Sequence, residues 1–271
     1  MIDGHVHIFP PELIRNRESY LERDDRFRTL YQNSKARMVS AEDVLEHMDS
    51  CQVGCSVVFG FAFADQGLCR FVNDYVIESV KAEPERLIGL ASVSPESAGA
   101  VDEAARCLDA GLAGCGELVP QDGAFGGDWH RLADMLARRD APLLIHANEQ
   151  VGHSYPGKEV FPPEQFADFA EAHPTLTIVL AHMGGGLLFY EMMPEMRQIL
   201  RRVHYDTSAV PYLYGPEIYR VAVLCAGPDK IIFGSDFPLL SPSRYLSGIA
   251  ELTPKGRDAV LGENARRIYR R

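Results

Sequence analysis

Eight short apolar runs, at residues 2–9, 56–59, 87–90, 113–118, 143–146, 177–182, 203–206 and 230–236, constrain this chain more than any other feature. They are continuous rather than alternating, as strands buried on both faces are. Helical spacing fills the intervals. Phe71, Val72, Tyr75, Val76 and Val80 share one helical face before Pro84, residues 98–110 are alanine-rich and end at Gly111, and Asp128 stands where it would cap a helix through Leu132 and Leu136. Ser40, with Asp43 three residues on, has the form of a capping box for a helix through Val44, Leu45 and Met48. Further helices fit 163–172, 187–201, 215–225, 243–252 and 255–270. Eight βα units in roughly 250 residues are the pattern of an α/β protein of the (β/α)8, or TIM-barrel, type. A doubly wound open sheet is the alternative, but no G-x-G-x-x-G follows the first run. No linker or composition break interrupts the pattern, so one domain over 1–271 is expected. Its long first connection, about 10–39, reads as a lid insertion or as a solvated excursion.

Composition narrows the partners. A formal net charge of −11 argues against a nucleic-acid backbone or an anionic membrane surface. No apolar run is long enough to span a bilayer. The first run starts at residue 2, where cleavage of a signal peptide would remove it. The six cysteines form no C-x-x-C pair and read as free thiols in a reducing compartment. A cytoplasmic location is therefore expected.

In a barrel of this type, active sites form at the C-terminal ends of the strands. His5 and His7 stand at i and i+2 near the end of the first run, so both imidazoles project to one side. Glu117 lies near the end of the fourth run, and His146, His182 and Asp236 close the fifth, sixth and eighth. One histidine closing one strand is ordinarily a hydrogen-bonded cap. Several on separate strands, with a carboxylate on the last, point to a metal site. The polar loop after His146 adds His153, Tyr155 and Lys158 as candidate substrate-binding residues, Lys158 as the partner of a carboxylate, with an ordinary solvated loop as the alternative. Gly184, Gly185 and Gly186 either let backbone approach a ligand or simply make a turn. His47, His130 and His173 read as surface or packing residues, Asp206 as a backbone anchor, and Glu12, Asp24 and Asp25 as solvated charges.

The D-x-H-x-H start (Asp3, His5, His7), the histidine after the fifth run, A-H-M-G-G (181–185) and G-S-D-F-P (234–238) together resemble the amidohydrolase superfamily. The resemblance is strongest to its "amidohydrolase 2" branch, which includes enzymes of the aminocarboxymuconate semialdehyde decarboxylase type. It covers the whole chain, including Asn73, the stretch 84–87 and the closing G-E-N-A (262–265). The resemblance implies that His5, His7, His146 and Asp236 hold one divalent metal, usually zinc, with manganese or iron as the other choices. It also implies that His182 is a catalytic or substrate-contacting residue beside the metal. Three imidazoles and a carboxylate suit Zn²⁺ with a position open for water or substrate, and Asp236 could take the proton from such a water. Glu117 departs from the decarboxylases. In other branches an acid there bridges two metals, so it is either a bridging ligand for a second ion or a structural hydrogen-bond partner. The expected activity is metal-dependent hydrolysis of an ester, lactone or amide. A non-oxidative decarboxylase of a small aromatic or muconate-type acid is the alternative, and a non-catalytic binding barrel the third reading. A decarboxylase needs a cation for its substrate carboxylate, yet no arginine directly follows a strand, and only Lys158 and Arg244 stand in suitable loops. The expected partner is a small molecule, a carboxylate if the alternative holds. Homodimers are common in the resembled branch.

Overall fold

The computed structural model describes residues 1–120, 125–152, 154–158 and 161–269. The eight runs form parallel strands in sequential order: β1 (Ile2–His7), β2 (Cys55–Phe59), β3 (Leu87–Ala91), β4 (Gly114–Leu118), β5 (Leu143–Ile145), β6 (Ile178–Leu180), β7 (Val203–Asp206) and β8 (Ile231–Ile232). The last run is paired over fewer residues than its apolar length suggests. Beyond Ile232 the chain bonds back to β1 instead: Gly4 N–H to the Phe233 carbonyl (2.8 Å), Asp236 N–H to His5 (3.0 Å) and His7 N–H to Phe237 (2.8 Å). These bonds bring β8 against β1 in a (β/α)8 barrel, and they set Asp236 beside the two first-strand histidines. Asp3 reinforces the seam, because its carboxylate accepts the backbone N–H of Ser235 at 2.8 Å and the Ser235 hydroxyl.

Side chains sort by face. Val57, Phe59, Leu90, Leu144, Val179 and Ile232 fill the barrel interior, where the C-terminal helix Asn264–Ile268 contributes Ala265 and Ile268 to the same cluster. The opposite faces meet the helices in a larger apolar layer that includes Leu87, Cys115, Leu143, Trp129 and Phe169. In the first connection lie three short helices, α1 (Pro11–Arg15), α2 (Arg17–Leu21) and α3 (Asp25–Tyr31). They are not a solvated excursion: Leu13, Leu21 and Phe27 form a buried cluster with Phe9, Phe61 and Phe63. Asp24 is likewise no solvated charge. It is buried, caps α3 by accepting the Phe27 N–H, and accepts the Ala64 N–H, both at 2.8 Å. That second bond ties the connection to the loop after β2.

The next helix, α4 (Ala41–Cys51), starts at the expected capping box, with Ser40 and Asp43 exchanging bonds. α5 (Gln66–Ala82), α6 (Ala100–Asp109), α7 (Trp129–Arg138) and α8 (Pro163–Ala172) follow the spacing. Asp128 precedes α7 without capping it, since its carboxylate takes the Arg131 guanidinium instead. The expected helix at 187–201 is replaced by irregular turns over His182–Met192 and a short helix, Pro194–Ile199. Met183 through Gly186 all have positive φ there, which no continuous helix tolerates. A Cβ on Gly185 would meet the Asn148 carbonyl at 2.6 Å, so this glycine lets the loop pack against the loop after β5. Residues 243–270 are also broken into short pieces, with Pro254 opening a new helix.

His204 on β7 supplies a pH test of the fold. Burial, with the nearby charges of Lys230, Arg267 and Arg202, pushes its imidazole down to about 3. The folded protein therefore keeps His204 neutral while the unfolded chain protonates it near 6.5, so stability falls as the pH drops below that value. His204→Gln is expected to lose less stability than the wild type between pH 7.5 and pH 5, by about 1 kcal/mol after allowing for partial exposure. Urea midpoints at the two pH values check this; equal pH losses would show that the two states titrate alike here.

Candidate functional site

The C-terminal ends of the strands bring His5, His7, Glu117, His146, His182 and Asp236 to one mouth, as expected from their places at the ends of separate runs. His5 is fully buried, and the others line a cavity of about 420 Å³. The imidazoles of β1 are held by Phe59, whose ring meets His5 and His7 edge-on at 4.9 and 4.8 Å. Asp236 and His182 both sit in left-handed backbone conformations, φ 60° and 55°, which non-glycine residues rarely adopt. Each is held there by backbone bonds. The Leu239 N–H reaches the Asp236 carbonyl at 2.7 Å, and the His182 N–H donates to the Asp206 carboxylate at 3.0 Å.

Two groups of donor atoms meet at Glu117. On one side, His5 Nε2 lies 3.8 Å from Glu117 Oε2 and 3.7 Å from Asp236 Oδ1, and His7 Nε2 lies 3.8 and 3.4 Å from the same two oxygens. Donors about 2.1 Å from a tetrahedral divalent ion would be roughly 3.4 Å apart, so the spacing fits a metal. The buried His5 Nε2 also has no hydrogen-bond partner among the described residues, as befits a nitrogen that would ligate a cation. On the other side, Glu117 Oε1 lies 2.9 Å from His146 Nδ1 and 3.5 Å from His182 Nε2, with the two imidazole nitrogens 3.1 Å apart. Glu117 therefore belongs to both groups. The hydrogen bond to His146 and the place between two donor groups are both present, so the structural and the bridging roles both stay open.

The charges are strongly coupled. Burial alone would raise the Glu117 carboxyl, but His146 and His5 outweigh it and hold the group well below the usual range. Burial would likewise raise Asp236, and the hydrogen bond from His7 with the charge of His5 brings it down to about 2. Burial disfavours protonated His5 and His182, yet Asp206 and Glu117 raise the first to about 10, and Glu117 raises the second to about 9. His146 is lowered by burial, against the pull of Glu117.

The remaining sequence candidates divide. Tyr155 lines the cavity and donates to Asn148 Oδ1 at 2.8 Å. Lys158 does not line it; its ammonium reaches the Val151 carbonyl at 3.1 Å, within its own loop. His153 lies outside the described residues. Arg244 also stands away from the cavity lining. Among the described residues, the Lys and Arg side chains that line it are Arg26, Lys35 and Arg37, all from the first connection. Arg26 reaches over the Phe61 ring, 5.0 Å from its centroid, and its charge acts on His146. Sequence reasoning missed it because it searched strand ends. Asp206 was also undervalued. It closes β7 as Asp236 closes the eighth run, and that signal was available.

Comparison with known proteins agrees with this geometry. The amidohydrolase family profile matches residues 2–271. A 2-amino-3-carboxymuconate-6-semialdehyde decarboxylase from Dictyostelium discoideum is 23% identical over 247 residues, covering 77% of this chain and 69% of its own. Among solved structures, 5-carboxyvanillate decarboxylase from Sphingomonas paucimobilis superposes with a TM-score of 0.78 at 19% identity, covering 99% of this chain and 98% of that one. A dihydroxybenzoic acid decarboxylase from Polaromonas, solved with bound manganese and the inhibitor 2-nitroresorcinol, has a TM-score of 0.73 at 17% identity, with coverage of 99% and 96%.

Proposed function

The chain belongs to the amidohydrolase family, and from that premise we propose that it is a metal-dependent, non-oxidative decarboxylase of a small aromatic or unsaturated carboxylic acid. This reverses the order expected from sequence, where hydrolysis stood first because no arginine directly follows a strand and because Glu117 and the short chain leaned that way. The observation that carries the change is Arg26, which faces the same cavity as His7, Glu117, His146 and Asp236. The decarboxylases among the chain's relatives support the same reading.

In this reading His5, His7, Glu117 and Asp236 hold a divalent ion, with His146 beside them. When bound, the ion supplies Lewis acidity that polarises the substrate's oxygens. Arg26 offers a guanidinium to an acidic group of the substrate. Tyr31 and Phe61 form aromatic walls suited to a flat, conjugated molecule. His182 Nε2 points into the cluster, where it can deliver the proton that replaces the departing carboxyl group. The balance is one carboxylate and one proton giving carbon dioxide and a new C–H bond.

One observation favours a second reading. Glu117 spans two groups of donors, as a carboxylate bridging two ions would, and that arrangement suits a hydrolase with metal-activated water. Protein reconstituted with Mn²⁺ or Zn²⁺ is expected to release carbon dioxide from members of an aromatic and muconate-type acid panel, and to leave lactones, esters and amides untouched. The opposite pattern would replace the first reading by the second.

A further inference from the structure

Asp206, at the end of β7, is fully buried and touches two of the site's histidines. Its Oδ2 accepts from His5 Nδ1 at 2.8 Å. Its Oδ1 accepts the backbone N–H groups of His182 and Ser208, each at 3.0 Å, and the Ser208 hydroxyl. The Ser208 oxygen in turn lies 2.8 Å from His182 Nδ1, which also faces the Ser208 carbonyl at 2.9 Å.

A carboxylate only accepts, so these contacts dictate where hydrogens sit. His5 must carry a hydrogen on Nδ1, which leaves Nε2 facing Glu117 and Asp236 as the nitrogen a metal would take in place of its proton. The Ser208 hydroxyl, having donated to Asp206, can only accept from His182. The Ser208 carbonyl makes the same demand. His182 therefore also carries hydrogen on Nδ1, and its Nε2 faces His146 and Glu117. We infer that Asp206 is a positioning residue that sets both histidines at once: His5 directly, for holding the metal, and His182 through Ser208, for its part in the reaction.

This rests on the metal-site reading above, and it goes beyond it by assigning the two tautomers to one buried anion. Asparagine cannot replace that anion. With its oxygen toward His5, its NH₂ meets the two N–H groups and the hydroxyl that Asp206 now accepts; turned around, the NH₂ meets the His5 Nδ1–H.

Mn²⁺ titration of the metal-free protein tests the inference. Asp206→Asn is expected to weaken binding 10–100-fold, the usual cost of losing a ligand's hydrogen-bond partner. Ser208→Ala removes one of the two acceptors facing His182 Nδ1 and one donor to Asp206 Oδ1 but leaves the His5–Asp206 bond in place; it is expected to bind Mn²⁺ within twofold of wild type while kcat falls and KM stays. Unchanged Mn²⁺ affinity in a folded Asp206→Asn protein overturns the inference alone. Failure of the wild type to bind Mn²⁺ or Zn²⁺ overturns the metal-site reading, and the inference with it. Should Asp206→Asn not fold, ¹⁵N-histidine spectra of zinc-loaded wild type decide the matter. Nδ1–H on both His5 and His182 supports it, and Nε2–H on His5 overturns it.

Discussion

Glu117→Gln is expected to lose bound metal on dialysis and to lower turnover by three orders of magnitude. The carboxylate lies 2.9–3.8 Å from nitrogens of His5, His7, His146 and His182. A unit charge about 4 Å from another is worth about 4 kcal/mol at the effective dielectric of a partly buried site. Each 1.36 kcal/mol is tenfold, so losing one such interaction with a divalent ion costs affinity by about a thousandfold. Glutamine keeps the size but offers one acceptor oxygen where the site uses two, and its NH₂ cannot bind a cation. Elemental analysis of wild type, Glu117→Gln and a His146→Ala control checks the metal. One equivalent in wild type would suit the decarboxylase reading, and two would suit a bridging Glu117. Full metal content and turnover in Glu117→Gln would reduce this residue to a hydrogen-bond partner of His146.

Arg26→Met is expected to raise KM for the carboxylated substrate about 30-fold, with kcat within about threefold and metal content unchanged. Losing a hydrogen bond to a charged group costs about 2 kcal/mol, which corresponds to that factor. Methionine retains apolar bulk over the Phe61 ring, so the change isolates the guanidinium's charge. Lys35 and Arg37 are exposed, and their replacement is expected to have the smaller effect of a solvent-screened charge. Steady-state kinetics on the acid panel, together with elemental analysis, supply the check. An unmoved KM would mean that the substrate's acidic group is held elsewhere, and would strengthen the hydrolase reading.

These two residues mark the boundary of what could be read from sequence. The barrel was legible because each strand announces itself locally, as a short apolar run between helical spacings. His5, His7, His146 and His182 were legible for the same reason, since each ends or nearly ends its own run. Lys158 was nominated by proximity to His146 along the chain, and proximity along a loop says little about direction: its ammonium reaches the Val151 carbonyl and it does not line the cavity. Asp24 was misread for the converse reason: its charge suggested solvent, while its partners, Phe27 and Ala64, came from the folding of the connection onto the loop after β2.

The sequence by itself determined the parallel α/β architecture, the end of the barrel to which the histidines and carboxylates converge, and the residue types that meet there. Tertiary structure alone decided that Arg26 faces the cavity, that Glu117 joins two groups of donors, and that Asp206 holds His5 from 201 positions away. The difference is physical. Hydrophobic periodicity is written into neighbouring residues, whereas a hydrogen bond across a closed barrel exists only once all eight strands have set its distance.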